Sequence, residues 1–340
     1  MASRSGQWKL YPVEMLARFA SGWEELAPSP IVSSVAVQTM LEHLGDGRQM
    51  LAVCGDEKPL AMAIVTPRLW RIWETWQPAQ APIGLWVQKP MPVEELLPGL
   101  IRALGCLSFG VLQQDPDISV RGGGASDYVD TARIVVSGSF DEYWHQRGKL
   151  RTNLQSQRRK LEMAGIATRL ELVEDPALIG AVVDDYARLE SAGWKAQEGT
   201  AIARDNAQGR FYRSLMERLA ARSEALAFRY FFGDKLVACD MCLLREGTLI
   251  GLKTTYDESV RSLSPGSLMR QEIFRKLWGR LRRIEFYGRV MDWHLRWTRD
   301  VRTMYHVTAF RWHWLKSARS ALPLIQSFHR QSHNGQSRIS

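Results

Sequence analysis

Three strand-like runs joined by two tight turns, then a small-residue loop and a helix, constrain this chain more than any other feature. Leu226–Phe232 is apolar and aromatic, Gly233-Asp234 turns the chain, and Leu236–Leu244 returns it. Glu246-Gly247 turns it again into Thr248–Tyr256. Glycine in each pair supplies the positive φ that a two-residue hairpin demands. The third strand runs out through Asp257–Leu263 into Ser264-Pro265-Gly266-Ser267. The spacing then predicts a helix from Leu268 to Leu281 and a short strand, Ile284–Tyr287. Such a meander, feeding a small-residue loop at a helix N-terminus, makes a cradle for a phosphate-bearing ligand. Unpaired N–H groups and the positive end of the helix dipole both point at the anion there.

The chain has 340 residues, enough for two domains with separate cores. Its 45% apolar and 24% charged fractions are those of a globular protein. No apolar run approaches the roughly 18–20 residues that span a bilayer. Met1–Lys9 lacks the apolar core of a secretory signal, so the expected location is cytoplasmic. Cys54, Cys106, Cys239 and Cys242 are too few and scattered for a disulfide framework. The pair Cys239 and Cys242 falls inside the second strand rather than on a turn, which reads as two buried thiols. No His/Cys/Asp/Glu pattern has metal-ligand spacing, and no metal is expected. Charge is uneven along the chain. Residues 1–137 hold 11 Lys/Arg and 14 Asp/Glu, and residues 138–340 hold 34 and 22. The net of −3 becomes +12, so the basic surplus lies with the meander and favours anionic partners.

The first 135 residues read as a domain of their own. Val13–Leu26 and Val35–Leu44 have helical spacing, and Met50–Cys54 pairs with Leu60–Val65 across a polar turn. Trp70, Trp73 and Trp76 are spaced for one helix face, with an irregular strand as the alternative. Their expected role is packing, with a platform for a sugar ring or acyl chain as the second reading. Pro90–Leu107 gives another helix and Leu107–Leu112 a strand. This order is a shortened version of the second half's. Arg121-Gly122-Gly123-Gly124 follows its last strand and reads as a linker rather than a phosphate loop. The expected divisions are 1–135, 136–316 and a basic tail, 317–340, read as disordered.

The order of the second half resembles the core of the GNAT acyltransferase superfamily. The resemblance narrows over 138–315. It is carried by the basic helical lead-in Phe140–Leu161, by Glu190-Ser191-Ala192-Gly193-Trp194-Lys195 before Gly199-Thr200-Ala201, and by Lys253-Thr254-Thr255-Tyr256-Asp257. Ser264-Pro265-Gly266 and Trp293–Trp297 complete it. This ordered set is similar to the CelD/BcsL-type acetyltransferase-like proteins, relatives of the FemAB transferases. The Gln/Arg-rich glycine loop of typical GNAT enzymes is absent. The resemblance implies an α+β fold, a mixed sheet in tandem GNAT-like domains with the second better preserved. It also implies acetyl-CoA or another acyl-CoA as co-substrate, its pyrophosphate held by Ser264, Gly266, Ser267 and Leu268.

Direct transfer from a thioester needs a held donor, an unprotonated acceptor and a group that takes a proton or stabilises an oxyanion. If Glu246-Gly247 are the turn, paired residue numbers sum to 493 and Asp240 lies opposite Lys253. Two charges at one level of apolar strands fit either a cleft floor or a solvated ion pair. In the first case Asp240 is the base or its orienter, and Lys253 binds an anion or polarises a carbonyl. Tyr256 ends the same strand, where its phenol would protonate a leaving thiolate or its ring would pack. Asp292 and His294, flanked by Trp293 and Trp297, offer a second base, with a structural histidine as the alternative. Trp194 and Lys195 read as a lid over the acceptor or as a helix terminus. Arg151 and Arg158, on a basic helix from Lys149 to Leu161, suit clamping a phosphate or simply face solvent.

The function expected is transfer of an acyl group from acyl-CoA to an amine or hydroxyl of a sugar or sugar-phosphate acceptor. The link to exopolysaccharide or envelope synthesis comes from the resemblance alone. Aminoacyl transfer from charged tRNA is the first alternative. A non-catalytic derivative that binds RNA or a membrane-associated complex is the second, and peripheral membrane association is compatible with either.

Overall fold

The computed structural model describes residues 7–56, 58–122, 124–191, 206–312 and 314–315. The N-terminal half runs β1 (Trp8–Pro12), α1 (Ala20–Leu26), α2 (Ser34–Leu44), β2 (Met50–Cys54), β3 (Ala61–Leu69), β4 (Ile72–Thr75), β5 (Trp86–Gln88), α3 (Leu97–Leu104), β6 (Ser108–Gln114) and β7 (Ala125–Val135). Two connecting helices follow, α4 (Phe140–His145) and α5 (Gly148–Met163). The C-terminal half runs β8 (Thr168–Val173), α6 (Pro176–Ser191), α7 (Ala207–Ala220), β9 (Ala225–Phe232), β10 (Lys235–Arg245), β11 (Thr248–Tyr256), α8 (Pro265–Leu277), β12 (Arg283–Phe286), α9 (Asp292–Leu295) and β13 (Asp300–Phe310).

These strands form one mixed sheet in the order β1-β2-β3-β4-β6-β13-β7-β12-β11-β10-β9-β8, with β5 paired to β3. The two halves repeat one plan. An edge strand and two helices lead into an antiparallel meander, β2-β3-β4 or β9-β10-β11. One helix, α3 or α8, then carries the chain to a strand parallel to the last of the meander: β6 beside β4, and β12 beside β11. The final strand of each half is exchanged. β7 pairs with β12, β13 pairs with β6, and β7 and β13 run antiparallel at the seam. The expected architecture, a mixed sheet with two related halves, is therefore observed.

Three apolar clusters cover the sheet. α1, α2, α6 and α7 share a single cluster, in which Trp23, Val37 and Met40 join Tyr186, Phe211 and Leu215. On the other face α4, α5 and α8 cover the C-terminal half with Trp144, Leu154, Met269 and Phe274. α3 covers the N-terminal half separately, around Trp86, Leu97 and Phe109.

Several local expectations change. Trp70, Trp73 and Trp76 occupy the β3–β4 hairpin and its exit, not a helix: Trp76 is buried, Trp73 half-buried and Trp70 exposed. Val13–Leu26 divides into a 3-10 turn, Val13–Ala17, and α1. The Glu246-Gly247 turn is as expected, with φ of 49° and 77°. α8 begins three residues earlier than its spacing predicts. Pro265 takes the first helical position, where a missing N–H costs nothing, and Ser264 precedes it at φ 54°. Trp194, Lys195 and the tail 317–340 lie outside the described residues.

Candidate active site

The site grows from an irregularity in β11. From the turn inward, Arg245 faces Thr248, Leu244 faces Leu249, Leu243 faces Ile250 and Cys242 faces Gly251. Leu252 is then an extra residue, and beyond it Met241 faces Lys253 while Asp240 faces Thr254. This β-bulge shifts the register by one and overturns the expected Asp240–Lys253 pair. Residues opposite each other share a sheet face. Asp240 therefore lies with Thr254 on the α8 face, and Lys253 with Met241 on the α6–α7 face. There Lys253 Nζ sits 5.6 Å from the centre of the Tyr212 ring.

On its other side β11 pairs with β12 only through Thr248, Leu249 and Ile250. β11 continues to Tyr256 while β12 ends at Phe286, so the two strands part after Ile250, at the bulge. The parting opens a cavity of about 210 Å³. Gly251, Leu252, Lys253 and Thr254 form one wall, and Phe286 and Tyr287 another. Tyr186 from one sheet face and Arg270, Ile273 and Phe274 from the other complete it, so the cavity reaches through the sheet. Asp240, Cys242, Trp293 and His294 also line it. That volume is on the order of five to ten waters, room for a thioester end but not for a nucleotide.

Asp240 is 4% exposed. Burial pushes its carboxyl up to about 6, against the opposing pull of the Arg270 charge and of bonds from Thr254, Cys242 and the Met241 backbone. The Thr254 hydroxyl donates to Asp240 Oδ1 at 3.1 Å and accepts from Arg270 Nη2 at 3.1 Å. One hydroxyl thus links the buried carboxylate to its counter-charge. Arg270 is fixed in turn by the Trp293 ring, 4.4 Å from its guanidinium carbon. It is the main site residue that sequence reasoning missed. The signal was a cation on the apolar stripe of α8, three residues before Ile273 and seven before Leu277.

His294 is buried, and its ring stacks on Trp293 at 3.5 Å between centroids. Burial and the Arg270 charge hold its imidazole down to about 4, so it is neutral at pH 7. The Met291 N–H donates to Nδ1 at 2.9 Å, which leaves the ring proton on Nε2. In that state His294 is a hydrogen-bond donor rather than a base. Asp292 is exposed in the first turn of α9 and does not line the cavity.

Tyr256 is 42% exposed and does not line the cavity. It lies beside Gly266, where an added Cβ would stand 3.4 Å from its ring. α8 thus follows β11 inward, Gly266 against Tyr256 and Arg270 against Thr254. Its first turn and the cavity share one helix face. Ser267 and Leu268 donate their N–H groups to the Ser264 carbonyl, and Pro265 has none. Among the described residues this leaves Gly266 as the first-turn N–H not spent on a backbone carbonyl. The Leu268 side chain is fully buried in the core.

Arg151 and Arg158 line a separate groove of about 840 Å³ between α5, α8 and β8. It meets the opposite side of α8, through Gln271, Glu272, Arg275 and Lys276. Arg158 is already bonded to Gln271 at 3.1 Å and Glu272 at 2.9 Å. The structure therefore brings Asp240, Lys253 and His294 to one cavity and puts the two arginines elsewhere. Among the described residues no cluster of His, Cys, Asp and Glu could hold a metal ion.

Residues 148–295 match the family model of the acetyltransferase (GNAT) domain. No curated protein matches the chain. Among solved structures it is similar to a conserved protein of unknown function from Bacteroides thetaiotaomicron VPI-5482, at 10% identity over 89% of this chain and 98% of that one, with TM-score 0.57. It is also similar to the C-terminal domain of a protein assigned as a lysylphosphatidylglycerol synthetase from Agrobacterium fabrum, at 12% identity over 93% and 96%, with TM-score 0.54. FemX matches at 8% identity over 86% and 95%, with TM-score 0.54. At such identities the likeness to FemX and the other solved structures is one of fold, and what the family match adds is that residues 148–295 carry the pattern of an acetyltransferase (GNAT) domain.

Proposed function

We propose that the chain transfers an acyl group, acetyl in the simplest case, from acyl-CoA to an amine or hydroxyl of a sugar-type acceptor. The reading rests on one observation. A buried carboxylate, Asp240, lines a cavity between parting strands, with its pKa raised into the range of a working base. The residues suit the donor. Gly266 offers an unspent N–H at the positive end of α8, where phosphates bind, on the helix face that leads to the cavity. When bound, acyl-CoA supplies the acyl carbon and a thiol leaving group. Asp240 takes the proton that the acceptor loses as it attacks that carbon. His294 Nε2–H donates to the oxygen on which charge gathers, and Arg270 keeps the net charge beside Asp240 low. The thiolate leaves with a proton from solvent or from Tyr256 at the mouth. No covalent bond to the protein forms.

Titration calorimetry with acetyl-CoA, paired with turnover on amino-sugar acceptors, tests this. Gly266→Val should weaken donor binding. Asp240→Asn should keep donor affinity and lose about 10²–10⁴ in rate, the usual worth of a general base. An Asp240→Asn enzyme within tenfold of the parent, or a parent that ignores acetyl-CoA, would sink the proposal.

A second reading, aminoacyl transfer from charged tRNA, has one observation in its favour. The groove beside α5 is lined by Arg151, Arg158, Arg275 and Lys276 against two carboxylates. It fits a phosphodiester better than a small acceptor does. Salt-dependent tRNA binding without affinity for acetyl-CoA would select it.

A further inference from the structure

At one end of the sheet, three strands present their tips together. β4 starts at Ile72, β6 starts at Ser108 and β13 ends at Phe310, and Ser108 pairs with both. Beyond them the Leu107 N–H bonds to the Arg71 carbonyl at 2.7 Å, and its carbonyl accepts from Arg311 at 2.9 Å. Arg71 and Arg311 therefore flank Leu107 across roughly 10 Å, two strand spacings. Next to them stand Leu69 and Trp70, 65% and 79% exposed, and Trp312 and Trp314, 44% and 63% exposed.

Their arrangement is specific. The Arg71 guanidinium lies 5.6 Å from the Trp70 ring and that of Arg311 lies 5.4 Å from the Trp312 ring. Trp312 and Trp314 stack at 6.0 Å, 8° from parallel. Arg71 is also bonded to the Gly105 carbonyl, at 3.1 Å through Nε and 3.0 Å through Nη2. The nearby carboxylate of Glu74 is already paired with Arg68 at 2.9 Å. Beyond Arg302 the sequence has no Asp or Glu, and it has five Lys or Arg.

We propose that this edge docks the protein on an anionic lipid surface. Indole rings with an apolar body and a polar N–H settle at the depth of lipid headgroups. Arginines beside them meet the phosphates, and such cations are drawn to a negative leaflet. The exposed aromatic area supplies the part of the binding that charge alone does not. The gap between β11 and β12 starts at Phe286, level with Val301 through Ala132 and nine residues before Phe310 along β13, roughly 30 Å at about 3.3 Å per residue.

The test is co-sedimentation of the full 340-residue chain with phosphatidylcholine vesicles, with and without 30% phosphatidylglycerol (about a third anionic lipid). Binding is expected with phosphatidylglycerol only. The double variant Trp70→Ser/Trp314→Ser should bind at least about tenfold more weakly while keeping its melting temperature and its affinity for acetyl-CoA. Equal vesicle binding by the double variant would overturn the proposal, since charge elsewhere would then suffice. So would absence of vesicle binding, or Trp-dependent capture of bulk RNA or of a second copy of the chain in place of vesicles.

Discussion

Asp240 suits the base role proposed for it because its surroundings oppose one another. Burial favours the protonated acid, while Arg270, the Thr254 hydroxyl and the Cys242 thiol favour the carboxylate. The balance near 6 keeps a base ionised at neutral pH, yet basic enough to take a proton. The sign of the pH dependence follows. Only the ionised form accepts a proton, so kcat/KM should rise about tenfold per unit below pH 6 and level off above it. His294, held near 4, contributes no inflection between pH 5 and 9. Asp240→Asn should abolish the acid limb. A limb near pH 6 that survives in Asp240→Asn would transfer the base to another group. Stability is linked with the opposite sense. A carboxyl whose folded pKa lies above its unfolded value loses stabilisation as pH rises from about 4 to 6, on the order of 3 kcal/mol here. The change in unfolding free energy from pH 4 to pH 7 should therefore be more positive in Asp240→Asn than in the parent, by up to about 3 kcal/mol. Equal differences in urea melts would mean that the carboxyl is less buried than its geometry shows.

At the scale of elements, turn chemistry made the meander legible. Gly233 and Gly247 mark the two hairpins, and strand ends fall within a residue or two of the periodic runs. The bulge at Leu252 had one mark in the sequence, Gly251, an isolated glycine inside the strand pattern, and the alternation of apolar residues did not weigh it. Alternation alone carried the register through and paired Asp240 with the wrong partner. The tryptophans at 70, 73 and 76 misled for a related reason. A spacing of three suits a helix, but a tight turn with Arg71 at φ 57° interrupts the period and returns the chain as a strand. Arg270 was hidden because a cation on a helix ordinarily faces solvent. The bulge has a consequence of its own: it bends β11 where β12 leaves it, and so helps hold the gap open. Deleting Leu252 would restore an unbroken ladder without moving Asp240 from Thr254. The variant should fold, at a cost of about 1–3 kcal/mol for the lost packing, and bind acetyl-CoA much more weakly. Unchanged affinity in calorimetry would show that the bulge does not shape the donor site.

At the scale of the molecule, the repeated plan raises the question of how the gaps in its two halves differ. In the N-terminal half β4 and β6 also part after three pairs, Ile72–Ser108, Trp73–Phe109 and Glu74–Gly110. There the segment after β4 fills the gap. Gly84 N–H bonds to the Gln113 carbonyl at 2.9 Å, the Gln77 side chain donates to the Ala81 and Ile83 carbonyls, and Trp76 and Leu85 are buried. We propose that residues 1–135 serve as a scaffold domain for the catalytic domain at 136–316, and that neither unfolds alone. Exchange of β7 and β13 puts ladder hydrogen bonds of each half in the other. A buried cluster bolts the seam: Arg302 binds Asp115 through Nε at 2.9 Å and Nη2 at 2.5 Å, Nη2 also reaches Glu285 at 2.8 Å, and the Tyr287 hydroxyl donates to Asp115 at 2.9 Å. Asp115 comes from the first half and the other three from the second. Asp115→Ala leaves Arg302 short of a partner in a dry site, which typically costs about 3–5 kcal/mol. Because the cluster spans both halves, the loss should shift one shared transition rather than split it. Urea unfolding followed by far-ultraviolet dichroism and by tryptophan fluorescence should give coincident curves for the parent, and coincident curves at lower urea for Asp115→Ala. Two separated transitions in the parent would mean that the exchanged strands do not couple the halves, and the scaffold reading would fall with them.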